Sequence, residues 1–217
     1  MEKIRKFFND GLLSQYYIAK YNVEIWTKIA NEYDFLSMQS ESVQSLYAFI
    51  QISAVNNYLM ALARLFDKGE DKKTMCIESF LVLAKKHKGE AFNINDIREL
   101  LNAYSIDEKA LNQIKREEPI SILDNLCDIY RTKYQSDNIK LKIEDLRKIR
   151  NKRMAHNDSK INSSDLELSK VESLLDLAGQ IISIFGVALF SNSFRIEYQI
   201  NLDTFFIDEN IQLIKRP

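Results

Sequence analysis

Apolar residues recur every three or four positions along most of this chain, which is the pattern of amphipathic helices that pack into a core. The longest regular series predicts a helix that begins at Ser40 or Ser42. It ends at the sequence FDKGEDKK, where Gly and Asp favour a turn. The apolar positions of this helix are Val43, Tyr47, Ile50, Ala54, Tyr58, Ala61 and Leu65.

The same spacing predicts helices in most of the remaining chain. Residues 4–33 form one broken helix or two helices around Gly11, and further helices cover about 75–86 and flank the sequence YSIDEK. Pro119 suits the first turn of the next helix, which the sequence QSDN ends. After the helix that contains IEDLRKIRNKRMAHND, a capping box of Ser164 and Glu167 begins a last long helix that reaches about Phe190.

The C-terminal tail follows a different pattern. Residues Phe194 to Asp203, FRIEYQINLD, alternate between apolar and polar types, which predicts a short β-strand or a hairpin with NIQLIK. No repeat, low-complexity tract or linker divides the chain. We therefore expect a single domain over residues 1–217, with its helical core at about 40–190 and a C-terminal extension at 191–217.

Composition narrows the class of protein. Among 217 residues there are only 5 Gly and 2 Pro, which favours long helices, and the net charge of -1 excludes a globally basic nucleic-acid binder. Cys76 and Cys127 form no metal or disulfide motif, so we expect buried thiols in a reducing, cytoplasmic compartment. The apolar stretch from Leu174 to Phe190 is shorter than the ~20 residues of a bilayer span. We expect it to be a core helix without contact with a membrane.

The heptapeptide RNKRMAH, residues 150–156, contains the strongest candidate chemistry. On a helical wheel, Arg150 lies near the middle of an apolar arc formed by Ile143, Leu146, Ile149 and Met154. An unpaired buried charge costs several kcal/mol, so Arg150 is expected to meet an anion or to lie at a cleft or interface. A purely structural alternative remains open, in which Arg150 pairs with a carboxylate of another helix and His156 caps the helix C-terminus.

The arrangement of Arg150, the polar Asn151 directly after it, and His156 resembles the signature of the HEPN superfamily. The surrounding sequence LRKIRNKRMAHND looks most like the AbiU2-type branch, which is associated with bacterial abortive infection. The stretch RLFDKGEDK, residues 64–72, also resembles this branch. The resemblance covers roughly Ser40 to Phe190.

This resemblance implies an all-α, up-and-down helical bundle of HEPN type that forms a homodimer, with two motifs in one cleft. It further implies a metal-independent endoribonuclease of abortive-infection or toxin type, in which the RNA 2′-OH attacks the adjacent phosphate and leaves a 2′,3′-cyclic phosphate. His156 would transfer protons, and Arg150 would bind the phosphate through its fork of donors. Asn151 would orient either a phosphate or the histidine.

The positive charge of the residues around this motif favours RNA binding there. Residues 140–153 contain seven basic side chains and two acidic ones, although a solvated helical face would show the same composition. The expected RNA-binding residues are Arg147, Lys148, Lys152 and Arg153. No metal ligand cluster or glycine-rich nucleotide loop is present, and we expect no cofactor.

Two other interpretations remain open. The chain could be a non-catalytic HEPN-like module that binds RNA or a protein partner, such as a nucleotidyltransferase-type antitoxin. It could also be a plain helical scaffold.

Overall fold

A computed structural model describes residues 2–68, 75–86, 94–104, 119–155 and 168–190. All regular structure in these ranges is helical, which confirms the prediction of an all-α protein. The helices are α1 (Glu2–Lys6), α2 (Ser14–Asn31), α3 (Tyr33–Ser37), α4 (Glu41–Leu65), α5 (Ile77–Lys85), α6 (Ile94–Ala103), α7 (Pro119–Tyr134), α8 (Asp137–Ala155) and α9 (Leu168–Phe190). The predicted tail strand, the Ser164–Glu167 capping box and the second helix beside YSIDEK lie outside the described residues.

Several predicted helix boundaries agree with the structure. Ser40 adopts the extended backbone of an N-cap before α4, and Phe66 follows the last residue of that helix. Pro119 is the first residue of α7, as its fixed backbone angle favours. The predicted loop QSDN is shorter than expected, because Asp137 and Asn138 already belong to the first turn of α8.

The predicted break at Gly11 is a widening of a continuous helix. A π-helical segment, Phe7–Leu13, joins α1 directly to α2. A Cβ atom at Gly11 would lie 2.6 Å from the Cβ of Met75, closer than two such atoms approach. Glycine therefore allows the N-terminal helix to pack tightly against the segment that precedes α5.

Helix α9 occupies the centre of the main core. Every residue from 181 to 189 is buried, and the helix contacts α2, α4, α6 and α8. A helix that is apolar on all sides is stable only where other helices cover it. By length and composition alone, α4 and residues 173–190 of α9 could each span a bilayer, a property that core helices share.

The main core also includes the N-terminal helices. Ile4, Phe8 and Leu12 are buried in the same cluster as the C-terminal half of α4, the middle of α7 and α9. The first half of α4 belongs to a second, smaller cluster that it forms with α2 and α3, centred on Ile29, Leu36 and Tyr47. Helix α4 thus joins two cores, and α2 packs along it.

The two cysteines are buried free thiols, as predicted. Burial raises the pKa of Cys127 to about 12, and the neighbouring carboxylates of Asp124 and Asp128 act in the same direction. A thiol with so high a pKa is a poor nucleophile at neutral pH. Cys127 therefore serves as a small core residue.

Candidate functional site

Helix α8 carries the motif and is held by one apolar face. Ile139, Ile143 and Leu146 are buried in the main core, and Ile149 packs against its edge. Their spacing of three and four residues is that of a single helical face. This face fixes the helix against α4, α7 and α9, so the directions of its polar side chains are also fixed.

Arg150 lies on the same side of the helix as Ile139 and Ile143, one turn beyond Leu146, and is only half-buried. Its Nε and Nη2 atoms both donate hydrogen bonds to Oδ1 of Asn151, at 3.2 and 3.1 Å. In the part of the chain that the structure describes, no carboxylate pairs with Arg150. The structural alternative, an ion pair with another helix, therefore has no support among these residues.

The contact with Asn151 has a chemical consequence. One amide oxygen holds the Nε side of the guanidinium, which leaves the N–H groups of Nη1 and one of Nη2 on the opposite edge. That edge is a planar fork of donors of the kind that matches a phosphate. Asn151 thus orients Arg150, a role that differs from the predicted orientation of a phosphate or of the histidine.

The remaining motif residues are described only in part. The backbone of Lys152 and Arg153 lies in α8, but their side chains are outside the described part of the structure. His156 follows the last residue of α8 and also lies outside the described residues. The predicted roles of these three residues stay predictions.

Arg147 reaches from α8 to the C-terminal end of α4. Its Nη2 donates to the carbonyl oxygen of Phe66 at 2.9 Å, and the hydroxyl of Tyr134 donates to the same oxygen at 3.5 Å. The last carbonyls of a helix lack intrahelical partners and carry the negative end of its dipole, so a cation is favourable there. The two stretches that resemble the AbiU2 branch, around Phe66 and around Arg150, are joined by this contact.

Tyr134 supports the same contact from α7. Its ring stacks on Phe66 with centroids 6.0 Å apart and planes inclined by 12°. Burial raises the pKa of the Tyr134 phenol, the carboxylate of Glu78 adds to the shift, and Arg147 opposes it. The phenol is therefore neutral at physiological pH and acts as a hydrogen-bond donor.

The basic residues of α8 whose side chains are described point to different sides. Lys142 donates to the hydroxyl of Ser173 on α9 at 2.9 Å, and the exposed Lys148 pairs with Asp145 at 3.3 Å. Lys140 and Arg147 both line an open groove beside the end of α4. A count of charges along the sequence missed this division, which depends on the angular position of each residue around the helix.

The described part of the structure contains no candidate metal site. No group of three His, Cys, Asp or Glu residues that could hold an ion occurs in the described ranges. The expectation that the protein uses no cofactor remains a prediction.

Comparison with known proteins identifies one family. The family model HEPN_AbiU2, described as AbiU2, matches residues 1–204, which is a wider range than the resemblance read from the motif. No curated protein and no solved structure matches the chain significantly.

The contacts predict different stability effects for two arginines on the same helix. Arg147→Ala should lower the free energy of unfolding by about 1–2 kcal/mol, because the Phe66 carbonyl loses a charge-assisted donor. Arg150→Ala should change it by less than ~0.5 kcal/mol, because its described hydrogen bonds go only to its neighbour Asn151. Urea denaturation of both variants, with exposed Lys148→Ala as the control, measures this difference. Equal losses for the two arginines would contradict it.

Proposed function

The chain belongs to the AbiU2 family of the HEPN superfamily, and from this premise we propose that it is a metal-independent endoribonuclease of abortive-infection or toxin type. The observation that carries the proposal is the Arg150 guanidinium, which Asn151 holds in place and which no described carboxylate neutralises. A cation arranged in this way is suited to an external phosphate.

The proposed reaction uses the nucleophile of RNA itself. A base removes the proton of the 2′-OH, and O2′ forms a bond with the adjacent phosphorus while the bond from phosphorus to O5′ breaks. An acid protonates O5′, so the products are a 2′,3′-cyclic phosphate and a 5′-hydroxyl. His156 suits both proton transfers, and Arg150 stabilises the charge on the non-bridging oxygens.

This chemistry favours a homodimer. Each chain contains only two histidines, His87 and His156, and only His156 belongs to the motif. In the proposed mechanism, His156 of one chain acts as the base and His156 of a second chain acts as the acid at one phosphate, with both motifs in one cleft.

Helix α4 offers a surface for such a dimer. Leu46, Phe49 and Ile52 are 55, 68 and 50% exposed and follow one side of its first half. No charged residue occurs in α4 between Glu41 and Arg64. Two copies related by a two-fold axis could therefore meet on this face without repulsion between like charges.

The alternative is a non-catalytic HEPN-like module that binds RNA or a protein partner such as an antitoxin. In that case Arg150 and Asn151 would bind a phosphate without cleavage, and the apolar face of α4 would contact the protein partner. Cleavage assays separate the two functions directly.

The first functional prediction concerns metal. The purified protein should cleave single-stranded RNA in the presence of EDTA, because proton transfer and phosphate binding need no ion. Mass spectrometry of the fragments should show a 2′,3′-cyclic phosphate. An RNA with a 2′-deoxy nucleotide at the cleaved position is the control and should stay intact. Cleavage of DNA, or activity that disappears with chelator, would contradict the mechanism.

The second functional prediction compares the two histidines. His156→Ala should reduce the cleavage rate by ~10²–10⁴-fold, because it removes the proton-transfer group. Its stability should change by no more than ~1 kcal/mol, as for a group at a helix end. His87→Ala is the matched control and should retain the wild-type rate. If His156→Ala melts early and cleaves RNA at the wild-type rate, the histidine is a structural cap and the binding module is the better interpretation.

The third functional prediction concerns assembly. Light scattering at micromolar concentration should show a dimer, and Phe49→Asp should convert it to an inactive monomer, because two charges would face each other across the axis. Val82 on α5 is also exposed, and Val82→Asp is the control that should stay dimeric and active. A wild-type monomer that cleaves RNA would overturn the shared site.

A further inference from the structure

An open groove of about 440 Å³ lies beside Arg147, at the C-terminal ends of α4 and α7, the first turn of α5 and the first half of α8. Its charged lining consists of three cations and two carboxylates, Lys68, Lys140, Arg147, Glu78 and Glu144. Its volume falls in the range of sites that bind small organic ligands.

Two of the lining groups are fixed in position by the protein. The Phe66 carbonyl holds Arg147, and the Phe66 ring supports Tyr134 by stacking. The bond to Phe66 uses one of the five donors of the guanidinium. In the described part of the chain, neither Arg147 nor Lys140 has a carboxylate partner.

The groove leads directly to the motif along α8. Lys140, Glu144, Arg147 and Asn151 are spaced by four, three and four residues, so they form one row on the helix surface. Asn151, which holds Arg150, lies about 6 Å further along the axis than Arg147. A strand with one phosphate at Arg150 would therefore place its neighbouring nucleotides over the groove.

We infer that this groove is a subsite for single-stranded RNA and holds the nucleotides next to the scissile phosphate. Lys140 and Arg147 contact backbone phosphates, and the Tyr134 ring offers a surface on which a base stacks. Cations beside an aromatic ring, here Tyr134, are a usual arrangement for binding single-stranded nucleic acid. The inference rests on the proposed ribonuclease function and names where that enzyme holds its substrate.

The charges that line the groove nearly balance, which limits its electrostatic attraction for RNA. Because Glu78 and Glu144 offset two of the three cations, net charge alone gives weak attraction. Binding must then come from hydrogen bonds to individual phosphates and from stacking. Removal of one carboxylate should strengthen RNA binding, whereas reversal of one cation should weaken it.

Lys140 is the best probe of this subsite. It is exposed, so its replacement leaves packing intact, whereas Arg147 also caps α4. Lys3 on α1 is also exposed and does not line the groove. Lys140→Glu and Lys3→Glu therefore make the same change in net charge at two different places.

The experiment measures binding of a fluorescent oligouridylate by anisotropy at several salt concentrations. All variants carry His156→Ala as well, so that the RNA stays intact. Lys140→Glu should raise the Kd by roughly three- to tenfold and reduce the slope of log K against log salt by about 0.7, the value for one lost contact on a single strand. Lys3→Glu should stay within about twofold of its parent, and Glu144→Gln should lower the Kd by about two- to threefold.

The possible outcomes distinguish a failure of the RNA subsite from a failure of the proposed ribonuclease function. If the His156→Ala parent binds the oligouridylate and neither Lys140→Glu nor Glu144→Gln changes the Kd, the subsite is wrong and the proposed function is untouched. If the parent binds no RNA and the wild type cleaves none, both proposals fall. If polyglutamate displaces the oligouridylate at equal charge concentration, the groove recognises anionic chains of any kind, and the RNA subsite is overturned.

Discussion

The burial of α9 is the constraint on which the rest of this structure depends. Its residues 181–189 expose no face to solvent, so other helices must surround them. Helices α2, α4, α6 and α8 each pack against α9 and help to meet this requirement. In the interior, the ring of Phe80 contacts Phe8 at a tilted angle and Phe185 edge-on. A substitution that placed a charge on this segment of α9 would disturb every helix that packs against it.

The packing around α9 also explains why the motif helix keeps its polar residues accessible. Among the side chains of α8 that the structure describes, Ile139, Ile143, Leu146 and part of Ile149 belong to the core, and the polar ones make contacts on other sides of the helix. Arg147 uses one side to satisfy the carbonyl end of α4, and Arg150 meets Asn151 at the border of the core. The two arginines thus make different contacts within the protein. Arg147 joins α8 to the end of α4, whereas the described hydrogen bonds of Arg150 go only to its neighbour Asn151.

The contact with Asn151 changes how the arginine on the apolar face of α8 is interpreted. From the helical wheel alone, Arg150 lies close to the centre of the apolar arc and requires a buried partner. In the structure, the fully buried positions Ile139, Ile143 and Leu146 all precede Arg150 along the helix, and Arg150, one turn beyond Leu146, is half-buried. The amide of Asn151 is a neutral partner, which orients the guanidinium and leaves its positive charge uncompensated. An external anion can still gain from that charge, whereas an internal carboxylate would have neutralised it.

The sequence by itself determined the helical class, most of the helix boundaries and the motif, because each depends on residues close together in the chain. Apolar spacing in α4, Pro119 at the start of α7 and the neighbours Arg150 and Asn151 are all local features. Only the tertiary structure decided that Arg147 reaches Phe66 and that Lys140 and Tyr134 share a groove with Arg147. The groove draws on α5, α7, α8 and the segment after α4, and the contacts between separate segments depend on how the core packs. The basic residues of α8 illustrate the same limit: the sequence counts their charges, but the buried face of the helix decides where each of them points.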